Sequence, residues 1–282
     1  MTPIELIKKG SIFLRKHKIK SHMIDSELII SSLSGQSRER LLADSNFKLS
    51  SKQIKSFNNL INRRALGKEP IAYLLKKKEF WSMNFNVCKD VLIPRPETEI
   101  LVEKVAKYFK GRNPFILDIG TGSGCIIISL LQELKYSKGV AIDISNKALK
   151  IAKRNSRTFN TSQRIKFVNT SISNFNSLKF DLIVSNPPYI ARHQLKNLDA
   201  GIKKFEPKLA LDGGNDGLDV MRKVIYKSRK ILKNNGMLAI EIGNGQYKKV
   251  SQILKLNKFK EKYIINDYKD NIRCILSVLN HY

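Results

Sequence analysis

Asn186-Pro187-Pro188-Tyr189 is the stretch of this chain whose residue types are best suited to chemistry. Two consecutive prolines remove two backbone donors and fix two φ angles, so the stretch is a stiff turn that presents carbonyl oxygens. The asparagine ahead of them adds a side-chain carbonyl. Such acceptors suit a planar nitrogen bearing two hydrogens, in a side-chain amide or an exocyclic base amine, which is a poor nucleophile because its lone pair is delocalised. If the Asn186 side-chain oxygen and the Pro187 carbonyl accept those hydrogens, the nitrogen is held against the carbon it attacks. Positive charge growing on the nitrogen is stabilised by the same acceptors. Tyr189 is placed to stack on the planar group or to wall it off. An isolated Pro-Pro pair is usually a surface turn, so the reading needs a second motif.

That motif is Asp118-Ile119-Gly120-Thr121-Gly122-Ser123-Gly124, which directly follows an apolar run and opens a helix. A glycine turn at the carboxyl end of a strand lets backbone approach a ligand closely. Asp143 ends the next apolar run, nineteen residues after the last glycine, where a carboxylate can accept hydrogen bonds from ribose hydroxyls. A dinucleotide and S-adenosylmethionine both fit such a site. The dinucleotide fingerprint requires a third glycine where Cys125 stands. S-adenosylmethionine has no pyrophosphate to cradle, and Asp118 can bind its ammonium by a charge-assisted contact.

These residues need a scaffold. After Asn113 the chain alternates short apolar runs with helical patterns: Phe115 to Ile119, Gly139 to Ile144, Ile165 to Val168, Phe180 to Ser185 and Met237 to Ile242, with helices including Lys147 to Phe159 and Leu218 to Lys233. Strands apolar on both faces and separated by helices predict an α/β fold with a parallel sheet covered on two sides. The tetrapeptide then closes the fourth strand and opens on the same sheet edge as the glycine loop. Tyr263 to Asn266 and Cys274 to Leu279 have no helix between them and predict an antiparallel hairpin at the sheet edge. Upstream, Thr2, Pro3 and Glu5 form a capping box with a proline at the first helical position, and Ser50 with Gln53 forms another. A further amphipathic segment from Asp25 to Leu33 stops at Gly35, and Gly67 with Pro70 ends the helix that Ser50 starts. Residues 1–75 therefore read as a small helical domain, 76–112 as a hairpin-like connector rich in aromatic and β-favouring residues, and 113–282 as the cofactor domain.

The 282 residues carry 52 Lys and Arg against 24 Asp and Glu, a formal charge of +28, with 42% hydrophobic residues, which excludes a largely disordered chain. A charge of that size fits a nucleic-acid partner. Here the lysines are scattered among abundant Ile and Asn, which favours a general compositional bias, with Lys76-Lys77-Lys78 as the local exception. No apolar run approaches the roughly 20 residues of a membrane span and the N-terminus does not read as a signal peptide, so a cytoplasmic location is expected. Cys88, Cys125 and Cys274 lie far apart and read as small buried apolar residues. His17, His22, His193 and His281 have no ligand spacing, so no metal is expected. Glu97 and Glu99, at i and i+2, need not converge as an acid/base pair, and a methylated amide loses its proton without a dedicated base.

Asp118 to Gly124 with Asn186 to Tyr189 resemble the class I methyltransferases that modify planar nitrogens, in adenine of nucleic acid or in protein glutamine. Ile93-Pro94-Arg95-Pro96-Glu97-Thr98-Glu99, Glu69-Pro70-Ile71-Ala72-Tyr73 and Glu79-Phe80-Trp81 are similar to the protein glutamine methyltransferases of the HemK/PrmC type. Glu206-Pro207, Ala210-Leu211 with Gly213-Gly214 and Gly217-Leu218, and Glu241-Ile242-Gly243 extend the resemblance over nearly the whole chain. It implies a seven-stranded, Rossmann-like methyltransferase domain behind a helical substrate-docking domain. It also implies methyl transfer from S-adenosyl-L-methionine, leaving S-adenosyl-L-homocysteine, to the glutamine of the Gly-Gly-Gln motif in class I peptide-chain release factors. Asp118, Gly120, Thr121, Gly122, Ser123, Gly124, Asp143, Ser171 and Asn186 would then hold the cofactor. Asn186, Pro187, Pro188 and Tyr189 would hold the amide, with Arg95, Pro96, Glu97 and Thr98 beside them. The chain departs from the family at Lys76, where glycine is usual, and at Asn169-Thr170-Ser171, where an acidic or aromatic residue often lies near adenine. A ribosomal-protein glutamine methyltransferase and an adenine-N6 methyltransferase remain alternatives, although nucleic acid is not the expected substrate. A monomer is expected.

Overall fold

The computed structural model describes residues 2–43, 47–176 and 179–280; His281 lies outside them. By their internal contacts the residues form two compact units, Met1–Lys76 with Asp199–Phe205, and Lys77–Leu198 with Glu206–Tyr282.

The first unit is helical. Helices Pro3–Lys16 and Ser51–Gly67 start at the two predicted capping boxes, in which Thr2 and Ser50 accept from the backbone N–H of Glu5 and Gln53. Between them lie His22–Ser34, ended by Gly35 at φ 70°, and a short helix, Arg38–Ala43. Gly10 has no room for a side chain, since a Cβ there would lie 2.5 Å from the Phe57 ring and 2.6 Å from the Ser26 hydroxyl. Its absence lets three helices close on one core of Leu6, Leu14, Ile29, Phe57 and Ile61. The helix that Ser50 starts ends at Gly67 as expected, but the left-handed residue past its end is not a glycine. Lys68 takes that position at φ 57°. Lys76 likewise adopts φ 57° after helix Ile71–Leu75, which accounts for glycine being usual at that place in the family it resembles.

The second unit opens with a hairpin of strands β1 (Lys77–Phe80) and β2 (Met83–Asn86). Trp81 and Ser82 turn it at φ 53° and 54°, a conformation that ordinarily selects glycine or asparagine. The Trp81 N–H donates to Glu99 Oε1 at 3.0 Å and its indole N–H to Glu133 at 2.8 Å, which hold the turn. Residues 76–112 are more than a hairpin. Pro96 starts a helix, Pro96–Tyr108, which buries Ile100, Leu101, Val102 and Val105.

A seven-stranded sheet follows: β3 (Phe115–Ile119), β4 (Lys138–Asp143), β5 (Ile165–Asn169), β6 (Phe180–Ser185), β7 (Leu232–Glu241), β8 (Phe259–Asn266) and β9 (Ile272–Leu279). The spatial order is β5-β4-β3-β6-β7-β9-β8, parallel except where β9 pairs with β7 and β8. The fold is therefore the α/β class expected. The closing hairpin enters the sheet with β9 inside and β8 at the edge. Alternate residues face opposite sides: Leu117, Ile119, Ile183, Leu238 and Ile240 join one core with helix Asp219–Ile231, while Ile116, Leu182, Val184 and Ala239 join another with helices Pro96–Tyr108 and Cys125–Glu133. Among the described residues no helix is long and apolar enough to cross a membrane, and no group of His, Cys, Asp and Glu could hold a metal ion. Cys274 is buried as expected, whereas Cys88 and Cys125 are only partly buried.

Candidate active site

Sheet register, more than sequence proximity, assembles the site. Ile119 pairs with Ile142 on one side and Ser185 on the other, and Ser185 pairs with Ile240. The next residue on each chain is Asp143, Gly120, Asn186 and Glu241. These four form one row at the carboxyl edge, where the strand order reverses between β4-β3 and β6. The glycine loop and the tetrapeptide, far apart in sequence, thus leave adjacent strands.

Gly120, Gly122 and Gly124 have φ 72°, 56° and 83°, so all three require left-handed backbone. A Cβ on Gly120 would meet nothing within 4 Å, while one on Gly124 would lie 2.9 Å from Ile128 and 3.3 Å from Ala152. Gly120 therefore keeps an open approach, and Gly124 lets the loop pack. Asp118 is fully buried. Its Oδ2 accepts the Thr121 hydroxyl at 2.7 Å, and Oδ1 finds no hydrogen-bond partner among the described residues. Burial, only partly offset by Thr121, pushes this carboxyl up to about 7. Asp143 Oδ2 accepts from Gly122 N at 2.9 Å and Oδ1 from Ser145 N at 2.8 Å, so it clamps the loop while staying partly exposed. Burial raises its pKa against those backbone donors. Ser123 is buried, and its carbonyl accepts from Asn155 Nδ2 at 2.8 Å. Ser171, just past β5, accepts at 3.3 Å from Asn174 N, and Asn169 donates to the Asp143 and Ile144 carbonyls at 2.9 and 3.1 Å.

On the other strand end, Asn186 Nδ2 donates to Thr98 Oγ1 at 3.2 Å, and the Thr98 hydroxyl donates to Glu241 Oε2 at 2.6 Å. Pro187 is buried, and Pro188 and Tyr189 are partly so. Glycines brace the turn: a Cβ on Gly213 would sit 2.8 Å from the Pro188 carbonyl, and one on Gly217 would sit 2.4 Å from that of Tyr189. Gln246 ties Gly243 N to the Tyr189 carbonyl with bonds of 2.9 and 2.8 Å. Arg95 donates to the buried Glu206 at 2.6 Å, and Glu206 also accepts from Ile93 N at 3.2 Å, so this pair fixes the approach to Pro96. Pro96 is exposed at the first helical position, and Thr98, two residues on, is buried. Glu97 lies close enough to raise the pKa of Glu241, while Glu99 serves the hairpin turn, so the two do not converge.

Asn155 and Gln246 carry no motif role in the sequence, and Glu241 enters there only as part of the resemblance. A two-acceptor carboxylate with a buried unpartnered oxygen, beside a glycine turn, suits a positively charged amino-acid portion. A strand-end asparagine with its amide nitrogen engaged suits a neutral planar donor. The Methyltransferase small domain family matches residues 96–205, and the PrmC N-terminal domain family matches residues 5–75. A release factor glutamine methyltransferase of Caulobacter vibrioides is 35% identical over 269 residues, 95% of this chain and 93% of that protein. One from Buchnera aphidicola is 39% identical over 265 residues, covering 94% of each. The chain belongs to the release factor glutamine methyltransferase family. Among solved structures, a methyltransferase of Pyrococcus furiosus has a TM-score of 0.55 at 16% identity, over 83% of this chain and 100% of that one, which shows the shared fold. As a member of the family the chain is a methyltransferase, and S-adenosylmethionine is the cofactor that goes with its methyltransferase domain.

Proposed function

We propose that the chain transfers a methyl group from S-adenosylmethionine to the side-chain amide nitrogen of glutamine in the Gly-Gly-Gln motif of class I peptide-chain release factors. The observation that carries this reading is that Gly120 and Asn186 each directly follow the paired residues Ile119 and Ser185 on adjacent strands, supported by relatives named for this activity. The cofactor supplies a methyl carbon bonded to positively charged sulfur. Asp118 fits the methionine ammonium, because its buried Oδ1 finds no hydrogen-bond partner among the described residues. Asp143, partly exposed beside Gly122, suits ribose hydroxyls, and Ser171, just past β5, would be among the residues near the adenine. Gly120 to Gly124 supply the turn. Asn186 and the Pro187 carbonyl would accept the two amide hydrogens, and Tyr189 would flank the amide plane.

The helical unit, matched by the PrmC N-terminal family, would contribute docking surface for a cytoplasmic protein substrate. Remote contacts of that kind supply the energy that positions a poor nucleophile, so an isolated peptide should be methylated far less well than the intact factor. The test offers labelled S-adenosylmethionine with intact release factor, a Gly-Gly-Gln peptide, ribosomal protein and duplex DNA in parallel. Label on the factor is expected, with at least about tenfold lower kcat/KM on the peptide. Label on DNA or ribosomal protein and none on the factor would overturn the assignment.

A further inference from the structure

A threonine hydroxyl has one hydrogen to give. In this site Thr98 gives it to Glu241 Oε2 at 2.6 Å, so toward Asn186 it can only accept. The Asn186 group facing Thr98 must then be the amide NH2, which donates at 3.2 Å, and the side-chain oxygen is turned to the other side. This polarity follows from proton counting along the chain of bonds. We propose that Glu241, acting through Thr98, sets which way round the Asn186 amide sits, and that the ionised carboxylate is what makes the site able to accept the hydrogens of its substrate amide. The inference rests on the glutamine-methylating reading above.

The reverse polarity is open to a protonated Glu241. Its O–H can donate to Thr98, the Thr98 hydrogen is freed to donate to the Asn186 oxygen, and the amide turns over. Asn186 would then present NH2 to a substrate that also presents NH2, which is two donors facing each other. Glu241 ends β7, pairs in register with Cys274 and is fully buried. Burial raises its pKa to about 7. Around it, the Thr98 and Asn186 hydrogen bonds and the positive charge of Arg273 favour ionisation, while Glu97 opposes it. The Cys125 and Cys274 thiols and the Tyr189 phenol, which also sense its charge, are themselves pushed up and stay neutral. Glu241 is therefore a positioning residue balanced near pH 7, which bears on Asn186 through Thr98 and through its own contact with the Asn186 side chain.

The experiment measures kcat, KM for intact release factor and S-adenosylmethionine affinity for the wild type, Glu241→Gln, Thr98→Val and Thr98→Ser. Wild-type kcat should rise with pH as one proton leaves near pH 7, when scanned from about pH 5.5 to pH 9. Glu241→Gln, neutral and the same size, should lower kcat about tenfold or more and flatten that limb, with KM and cofactor affinity within about twofold. Thr98→Val, also isosteric, should match it, and Thr98→Ser should restore both rate and limb. Full kcat in Thr98→Val, or an unshifted acidic limb in Glu241→Gln, would overturn the proposal. Should Glu241→Gln fail to fold in a thermal melt, the Thr98 pair decides alone. A wild type that methylates no release factor would defeat the substrate reading and the proposal with it, whereas an active wild type with indifferent variants defeats the proposal only.

Discussion

Asp118 and Glu241 are two carboxylates at two strand ends of the same sheet, both fully buried and both pushed up to about 7 by burial. Their surroundings differ. Asp118 has one oxygen on Thr121 and one without a partner among the described residues, and no cation stands among the causes acting on it. Glu241 accepts from Thr98, lies beside Asn186 and feels the Arg273 charge. Equal burial thus gives two functions. One carboxylate is suited to completion by a charge arriving from outside, and the other is tied into a relay that ends on Asn186. Removing the arriving charge should leave the first costly to ionise, while the second keeps its partners throughout.

The largest expected effect lies at the far end of that relay. Asn186→Ala should lower turnover by about a factor of 10² or more and leave cofactor affinity nearly unchanged, because it removes the acceptor proposed for the reacting nitrogen. Steady-state rates with calorimetry of S-adenosylmethionine separate the two. Unchanged turnover in a folded variant would remove the tetrapeptide from the chemistry.

Asp118→Asn should do the opposite. Loss of the charge for an ammonium should weaken S-adenosylmethionine binding by about 2 to 3 kcal/mol. The variant should also be the more stable apoprotein at high pH. In the folded chain Asp118 keeps its proton to about 7, against 3.8 for the free side chain. The folded state therefore holds more protons between those values, and stability falls as pH rises through that window. A neutral amide in place of the carboxyl removes that fall. Chemical denaturation at about pH 5 and pH 8 should show the wild type losing up to a few kcal/mol more than the variant. Equal loss in both would mean that Asp118 ionises freely, and the contrast with Glu241 would collapse.

The two motifs at this edge were legible because each sits where an apolar run ends, and strand ends of a parallel sheet share an edge. Their adjacency was not, since β6 is the fourth strand of this sheet in chain order but lies directly beside β3, the first. Glu241 was visible only as part of a resemblance: its partner Thr98 is 143 positions away, and the helix holding Thr98 was hidden between prolines in a segment rich in β-favouring residues. Asn155 and Gln246 are ordinary polar residues in helical patterns, and only tertiary contact shows that they hold Ser123 and Tyr189. The left-handed positions at Lys68, Lys76 and Trp81 escaped for the reverse reason, since glycine is the usual signal and none of them carries it.

The smallest effects separate two glycines of the loop that follows Asp118. Ala at either position meets a left-handed φ that costs about 1 kcal/mol. At Gly124 the added carbon also presses on Ile128 and Ala152, at 2.9 and 3.3 Å, so Gly124→Ala should lose about 2 kcal/mol in all. At Gly120 nothing lies within 4 Å, so Gly120→Ala should lose only the backbone share. Its methyl group would instead stand in the open approach to the edge row, so S-adenosylmethionine affinity should fall in Gly120→Ala further than its stability does. Denaturant midpoints and calorimetry on the two variants check this crossing. If Gly124→Ala proved the weaker binder and Gly120→Ala the less stable protein, the space above Gly120 would not face the cofactor. Asp118, two residues before it, would then lose its assigned role toward the cofactor.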